Sequence, residues 1–156
     1  MAVNPLPEGY PRVSPYLIVD GAIAAIDYYT HVLGVTEKMR LPADVPDRLG
    51  HAELVLGDSM IMLADEHPDL GILGPMTIGG TPVMLQVYVD DVDAVFARAI
   101  EAGGRVLQEP RDEFYGDRAA QFEDPFGHRW NIASTVEDVS LEEMQRRAAD
   151  QGSDVS

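Results

Sequence analysis

A chain of 156 residues, 46% hydrophobic and without cysteine, suffices for one domain or two small half-domains sharing a core, and it excludes disulfides, thiolate metal sites and a cysteine nucleophile. Its 27 acidic against 11 basic residues leave a formal charge of −16, which repels phosphate backbones and argues against nucleic-acid binding. No apolar run approaches the ~20 residues of a bilayer span, and Met1 to Pro5 shows no basic stretch leading into an apolar block, so the expectation is a cytoplasmic protein with no membrane partner. The acidic surface serves solubility first; attraction of a cationic ligand is the second reading.

Pro5 to Arg12 is a Pro-rich, extended lead-in. Val13 to Val19 reads as a strand, with Pro15 suited to an edge or a strand start. Asp20 is placed to cap a helix over Gly21 to Leu33, whose apolar stripe is Ala22, Ile23, Ile26, Tyr29 and Leu33, and Gly34 ends it. A strand over Val35 to Arg40 and a loop over Leu41 to Leu49 follow. Gly50 to Leu56 alternates His51, Glu53 and Val55 against Ala52, Leu54 and Leu56. Gly57-Asp58 turns the chain into Ser59 to Ala64. Asp65 to Pro82 is rich in Gly and Pro, lacks periodicity and reads as a long loop.

The second half repeats the first. After the strand Pro82 to Val89 come an Asp90-Asp91 cap, a helix Val92 to Ala102 with Val92, Val95, Phe96, Ala99 and Ile100 buried, and a Gly103-Gly104 stop. Val106 to Glu109 is a short strand, and Pro110 to Gly116 a polar loop. Val19-Asp20 with Gly34 and Val89-Asp90 with Gly104 are both offset by 70 residues, and each helix follows one strand and precedes three. That is βαβββ twice, a duplication. The last of the strands form a hairpin through Asp124-Pro125-Phe126-Gly127, with Arg129 and Asn131 on one face and Trp130 and Ile132, a core pair, on the other. Ser140 and Glu143 make a capping box for a helix Leu141 to Ala149, and Gln151 to Ser156 reads as frayed.

Val13 to Ser134 resembles the vicinal oxygen chelate superfamily (the glyoxalase, bleomycin-resistance and dioxygenase fold). It is most similar to the PhnB-like branch, through Ser14-Pro15-Tyr16-Leu17-Ile18-Val19, Gly50-His51-Ala52-Glu53-Leu54 and Tyr115-Gly116-Asp117-Arg118. The resemblance implies an α+β fold in which the two βαβββ modules form a curved, cupped mixed sheet with helices packed behind it, and it implies a homodimer. The organisation is then a lead-in (1–12), a first module (13–66), a Gly/Pro-rich linker (67–81), a second module (82–134) and a C-terminal helix and tail (135–156).

With the leucine and valine faces packed on helices, the opposite faces would line the cup: Ser14, Tyr16, Ile18, His51, Glu53, Met60, Met62, Met84, Gln86, Tyr88, Arg129 and Asn131. Metal-dependent members of the family carry His, Gln or Glu at facing positions on the first and last strands of each module. Here those positions carry Ser14 and Met62, then Met84 and Asn131, which are poor donors for a divalent ion. No cofactor is expected, and a divalent metal only at a non-standard site.

His51 and Glu53, spaced i and i+2, point to one side of their strand. They are candidates for an acid–base pair or for two ligands of a displaced metal, against a structural polar pair in which His51 bonds a loop carbonyl. Arg118 could grip an anionic group beside Tyr115 and Asp117, or form a loop clamp with Asp117. Met60, Met62 and Met84 offer an adaptable thioether lining, though plain core packing explains them as well. Asp65-Glu66 reads as a cation chelate or a pair of caps, and His128 as an exposed turn residue; His31 and His67 carry no signal.

Two functions fit. One is a metal-free small-molecule-binding protein, sequestering or carrying an organic ligand through Tyr16, Met62, Met84, Gln86, Tyr88, Tyr115, Arg118 and Asn131, similar to bleomycin-resistance proteins. The other is a lyase or isomerase working through His51 and Glu53. An interaction module without small-molecule chemistry is a third, weaker reading.

Overall fold

The computed structural model describes residues 2–153. The chain divides into two compact units, one running to Pro82 and including Phe126–His128, the other made of Val83–Pro125 and the chain from Arg129. The first contains β1 (Tyr16–Val19), α1 (Ala22–Leu33), β2 (Thr36–Pro42), β3 (Leu49–Leu56), β4 (Ser59–Asp65) and the one-turn α2 (Pro75–Ile78). Its strands form a four-stranded mixed sheet in the order β1-β4-β3-β2. The second contains β5 (Met84–Tyr88), α3 (Val92–Glu101), β6 (Arg105–Asp112), β7 (Asp117–Glu123), β8 (Arg129–Thr135) and α4 (Leu141–Ser153), and its sheet runs β5-β8-β7-β6. In each sheet the first and last strands pair in parallel and the rest antiparallel. The α+β reading with two βαβββ modules therefore holds.

Each unit buries one sheet face against its helix. In the first, Leu17, Val19, Ala52, Leu54, Ile61 and Leu63 are buried together with Ala25, Ile26, Tyr29 and Val32 of α1. In the second, Ala120, Phe122, Trp130 and Ile132 are buried, as are Val92, Val95, Phe96 and Ala99 of α3. Each large side chain so buried contributes about 1.5–3 kcal/mol. Trp130 keeps its N–H satisfied through buried Asp124, whose Oδ2 accepts it at 2.8 Å beside the Pro125 turn.

Several local expectations change. Asp20 does not cap α1. Gly21 holds the N-cap position at φ 105°, and the carboxylate that serves the helix comes from Asp65 at the end of β4. Asp65 Oδ1 accepts the N–H of Gly21 at 2.7 Å and of Ala22 at 2.9 Å. Its Oδ2 accepts the Leu49 N–H at 2.7 Å. Arg48 bridges Asp65 at 2.8 Å and Asp20 at 2.6 Å. Burial alone would push the Asp65 carboxyl up, but these donors hold it below the usual range. In the second unit the expected local cap is present, with Asp91 accepting the Ala94 N–H at 3.1 Å.

The 65–82 segment is not a featureless loop. A 3₁₀ turn over Pro68–Leu70, a bridge between His67 and Ile72, and α2 organise it. Glu66, like Asp65, turns out to cap rather than chelate, accepting the Gly74 N–H at 2.7 Å. A Cβ on Gly74 would stand 2.8 Å from the Ile18 carbonyl, so only glycine fits that approach.

Strand β6 runs on through Pro110 to Asp112 instead of ending at Glu109. It is an edge strand with a register shift between Gln108 and Arg111, and both features tolerate the missing proline N–H. Ile23 is exposed, and Tyr28 takes a place in the α1 stripe that the spacing did not give it. His128 is half-buried, and its Nε2–H donates to the Ile18 carbonyl at 2.9 Å. Ser140 caps its helix by accepting the Glu143 N–H at 3.2 Å, but the Glu143 carboxylate goes to Arg146 and Arg147, so only half of the expected capping box forms. The helix reaches Ser153, past the expected Ala149, and the rest of the tail expected to fray, 154–156, lies outside the described residues. Among the described residues no helix is long and apolar enough to cross a membrane.

Candidate functional site

The face of each sheet turned away from its helix carries the polar chemistry. On the first sheet the register sets Tyr16 opposite Met62, and Met62 opposite Glu53. Strand alternation adds Ile18 and His51 to the same face. Ser14, expected among these, precedes β1, so the residue facing Met62 from the first strand is Tyr16. Met60 is buried on this face and Met62 half-buried.

His51 and Glu53 come together as their spacing requires, but inside a longer chain of hydrogen bonds. Glu53 is only 6% exposed. Its Oε1 meets His51 Nε2 at 3.1 Å, and its Oε2 accepts the Tyr10 hydroxyl at 2.8 Å. The His51 bond is the main cause of a Glu53 carboxyl held below the usual range; Tyr10 and the charge of Lys38 assist, and burial opposes. An ionised carboxylate only accepts, so His51 Nε2 carries a proton, and in the neutral imidazole Nδ1 is then an acceptor. The Tyr16 hydroxyl donates to that Nδ1 at 2.7 Å. Lys38 Nζ lies 3.9 Å from the centre of the Tyr10 ring, a cation–π contact that pins the lead-in.

The relay thus reads Tyr16–His51–Glu53–Tyr10. Its imidazole nitrogens and both carboxylate oxygens are occupied, and its outlet is the Tyr16 phenol, 47% exposed. Burial, followed by the Glu53 charge, raises the Tyr16 hydroxyl above its ordinary range, so at neutral pH it is a phenol. An oxygen that gives its proton to His51 keeps lone pairs that can accept from a ligand N–H or O–H.

On the second sheet Met84, Gln86 and Tyr88 face Arg129, Asn131 and Ala133 across the parallel pair. The position equivalent to Tyr16 and Met62 is therefore Gln86 with Asn131, not Met84 with Asn131. Asn131 Nδ2 donates to Gln86 Oε1. Tyr88 is 65% exposed and its hydroxyl reaches Asp117 at 3.5 Å. Tyr115 stacks edge-on to Phe114, and burial, then the charges of Glu113 and Asp117, raise its hydroxyl.

Arg118 goes elsewhere. It lies on the same side of β7 as Ala120 and Phe122, and its guanidinium grips Asp93 of α3 through bonds of 2.7 and 2.8 Å. A third bond of 3.1 Å goes to Asp112. It is a clamp, as one reading allowed, but its partners are Asp93 and Asp112, not Asp117. Arg118 stands apart from Met84, Gln86 and Asn131, on the opposite face of their sheet.

Among the described residues no three His, Asp or Glu side chains converge as metal ligands. The facing positions hold Tyr16, Met62, Gln86 and Asn131, and His51 with Glu53 supplies two donors that already bind each other. This donor set does not fit a resident divalent ion. A cleft of about 600 Å³ in the first unit is bordered by Asp20, Arg48, Glu66 and His67, of which Arg48 is held by Asp20 and Asp65, and Glu66 by the Gly74 N–H.

Sequence reasoning missed Tyr10, Lys38 and the position of Arg118. Tyr10 is 43 residues from Glu53 in the chain, and the only hint was an aromatic in a Pro-rich lead-in. Lys38 sits at a register shift between Glu37 and Met39, where alternation fails.

Residues 12–132 match the model of the glyoxalase/bleomycin resistance protein/dioxygenase superfamily. The uncharacterized protein Rv0887c of Mycobacterium tuberculosis is 39% identical over 146 residues, covering 91% of this chain and 85% of the relative. The anthracycline biosynthesis protein DnrV of Streptomyces peucetius is 33% identical over 127 residues, covering 78% of this chain but 40% of that protein. The fold is also that of the PhnB protein from Bacillus cereus, with a TM-score of 0.62, 17% identity, and coverage of 78% of this chain and 98% of that one.

Proposed function

The chain belongs to the glyoxalase/bleomycin resistance protein/dioxygenase superfamily, and from that premise we propose that it is a small-molecule-binding protein which sequesters or carries an organic ligand without a metal. The observation that carries this reading is the Tyr16–His51–Glu53–Tyr10 relay, a set of polar groups already oriented before any ligand arrives. Such preorganisation lowers the cost of binding, and the thioether of Met62 beside it suits a flat, apolar body. In the second unit Met84, Gln86, Tyr88 and Asn131 on the sheet, and Tyr115 in the β6–β7 turn, are the further candidate contacts. Similarity to a protein named for anthracycline biosynthesis makes planar polycyclic compounds the first class to screen. The reading includes a homodimer, as the family resemblance implies, which sedimentation velocity would test.

The test is a thermal-shift screen of planar aromatic compounds on the wild-type protein, Tyr16→Phe and His51→Ala. Hits should raise Tm; Tyr16→Phe should weaken them about tenfold, the worth of one good hydrogen bond, while His51→Ala changes affinity only a few-fold. A complete absence of hits across the screen would sink the reading.

A second reading, a lyase or isomerase, is favoured by the same relay. Tyr16 would exchange a proton with the substrate while His51 and Glu53 accept and return it, as in a hydroxyl–imidazole–carboxylate triad. It predicts turnover that collapses in His51→Ala although the fold survives. Elemental mass spectrometry of untagged protein decides the metal question. Stoichiometric metal that disappears in His51→Ala would replace both readings with a metalloenzyme centred on His51 and Glu53.

A further inference from the structure

We infer that Arg129 is the anchor for an anionic group of the ligand, a carboxylate or similar oxyanion carried on an apolar body that lies against Met84. The inference takes from the preceding reading only that the ligand is a small organic molecule.

Arg129 opens β8 directly opposite Met84 of β5, on the sheet face shared with Gln86 and Asn131. Its Nε is the one buried side-chain nitrogen or oxygen among the described residues that lacks a hydrogen-bond partner. The terminal nitrogens are neither bonded nor buried. This is unusual in a chain with 27 acidic residues and 11 basic ones. The other strand-borne arginines, Arg40, Arg105, Arg111 and Arg118, each hold a carboxylate at 2.6–2.8 Å. The carboxylate that the register sets opposite Arg129 is Glu123 on β7. That carboxylate is taken by Arg105 from the edge strand, at 2.6 and 2.9 Å.

A half-buried guanidinium with no internal counter-ion is a binding group held in reserve, because a planar fork of N–H donors matches a carboxylate or another oxyanion. The neighbours support the assignment. Asn131 donates to Gln86, and neither β5 nor β8 carries an Asp or Glu. Met84, 42% exposed, gives the apolar surface beside the charge. The overall charge of −16 would repel an anion at long range, so such a group binds only through a specific local cation. The sequence pointed instead to Arg118, which is spent on Asp93 and Asp112.

The experiment uses two fluorescent probes that share one aromatic body, anilinonaphthalene sulfonate and its uncharged parent phenylnaphthylamine. Both are titrated into the folded protein, and benzoate or benzyl alcohol is added as competitor. The expected result is sulfonate binding that benzoate displaces and benzyl alcohol does not. Arg129→Gln should weaken the sulfonate about tenfold and leave the uncharged probe unchanged, Arg129→Lys should recover part of the loss, and Arg118→Gln should change neither. Equal displacement by both competitors in the wild-type protein would overturn the inference, and so would an Arg129→Gln protein that binds the sulfonate as before. Loss of both probes together in Arg129→Gln would mark a packing role and also overturn it. Should Arg129→Gln fail to fold, the competition in wild type decides alone. Binding of the neutral probe without the sulfonate overturns only this inference; binding of neither also counts against the small-molecule reading.

Discussion

The two modules place the same junction, Val19-Asp20 and Val89-Asp90, ahead of their helices, yet cap them by different means. In the second unit Asp91 caps α3 from the adjoining loop, a local bond to Ala94 that any fragment of the chain could form. In the first unit the cap arrives from Asp65, on a strand that closes 44 residues after Gly21, and the same carboxylate also secures Leu49 and Arg48. The outward sheet faces diverge in the same way. One carries a closed relay of Tyr, His and Glu, the other an amide pair and an unpaired guanidinium. A duplicated backbone conserves its strand order while its polar groups are free to change hands, since the order depends on apolar faces that both copies keep.

Removing the two caps sharpens that contrast most. Asp65→Ala strands three backbone N–H groups and one side of Arg48, and urea denaturation should show a loss of about 3–5 kcal/mol. Asp91→Ala should cost about 1 kcal/mol in the same assay, as an ordinary N-cap does. Equal losses would mean that the long-range cap has no special weight.

Between those two lies Glu53→Gln, with an expected loss of about 1–2 kcal/mol at pH 7 because the charge-assisted bonds from His51 and Tyr10 become neutral. Its pH dependence follows from the lowered Glu53 carboxyl. The unfolded group titrates near 4.5, so the stabilisation is complete above that pH and is lost as the pH falls below it towards the folded value. Wild-type stability should therefore drop more steeply below pH 4.5 than that of Glu53→Gln, read from denaturation curves across the acid range. Asp65, also lowered, adds to the same acid limb in both proteins. The smallest effect belongs to Arg118→Gln, whose ion pairs are solvent-exposed; its melting temperature should stay close to wild type, and more so in high salt.

Much of this architecture was legible in the chain. Alternation in 51–56 and 129–134, a left-handed glycine after each of α1 and α3, and the Ser140 cap each express a local rule, and each formed. His51 and Glu53 were legible as a pair because i and i+2 on a strand must share a side. What stayed hidden was the partner of each charged group. Arg118 reaches Asp93 over 25 residues, Tyr10 reaches Glu53 over 43, and the Asp65 cap spans 44. Such pairings depend on which strand end meets which helix, and no residue spacing encodes that. Pro110 misled for a related reason, since its tolerance comes from β6 being an edge strand, a property of the sheet and not of the segment.

The bond from Tyr10 to Glu53 has a practical bearing on how the protein is handled. Residues 2–12 look dispensable by composition, yet one of their hydroxyls completes the coordination of a buried carboxylate, and Lys38 lies across the same ring. Trimming the chain to begin at Val13, or fusing a bulky tag close to Tyr10, would leave a Glu53 oxygen bare inside the first sheet and weaken the orientation of His51.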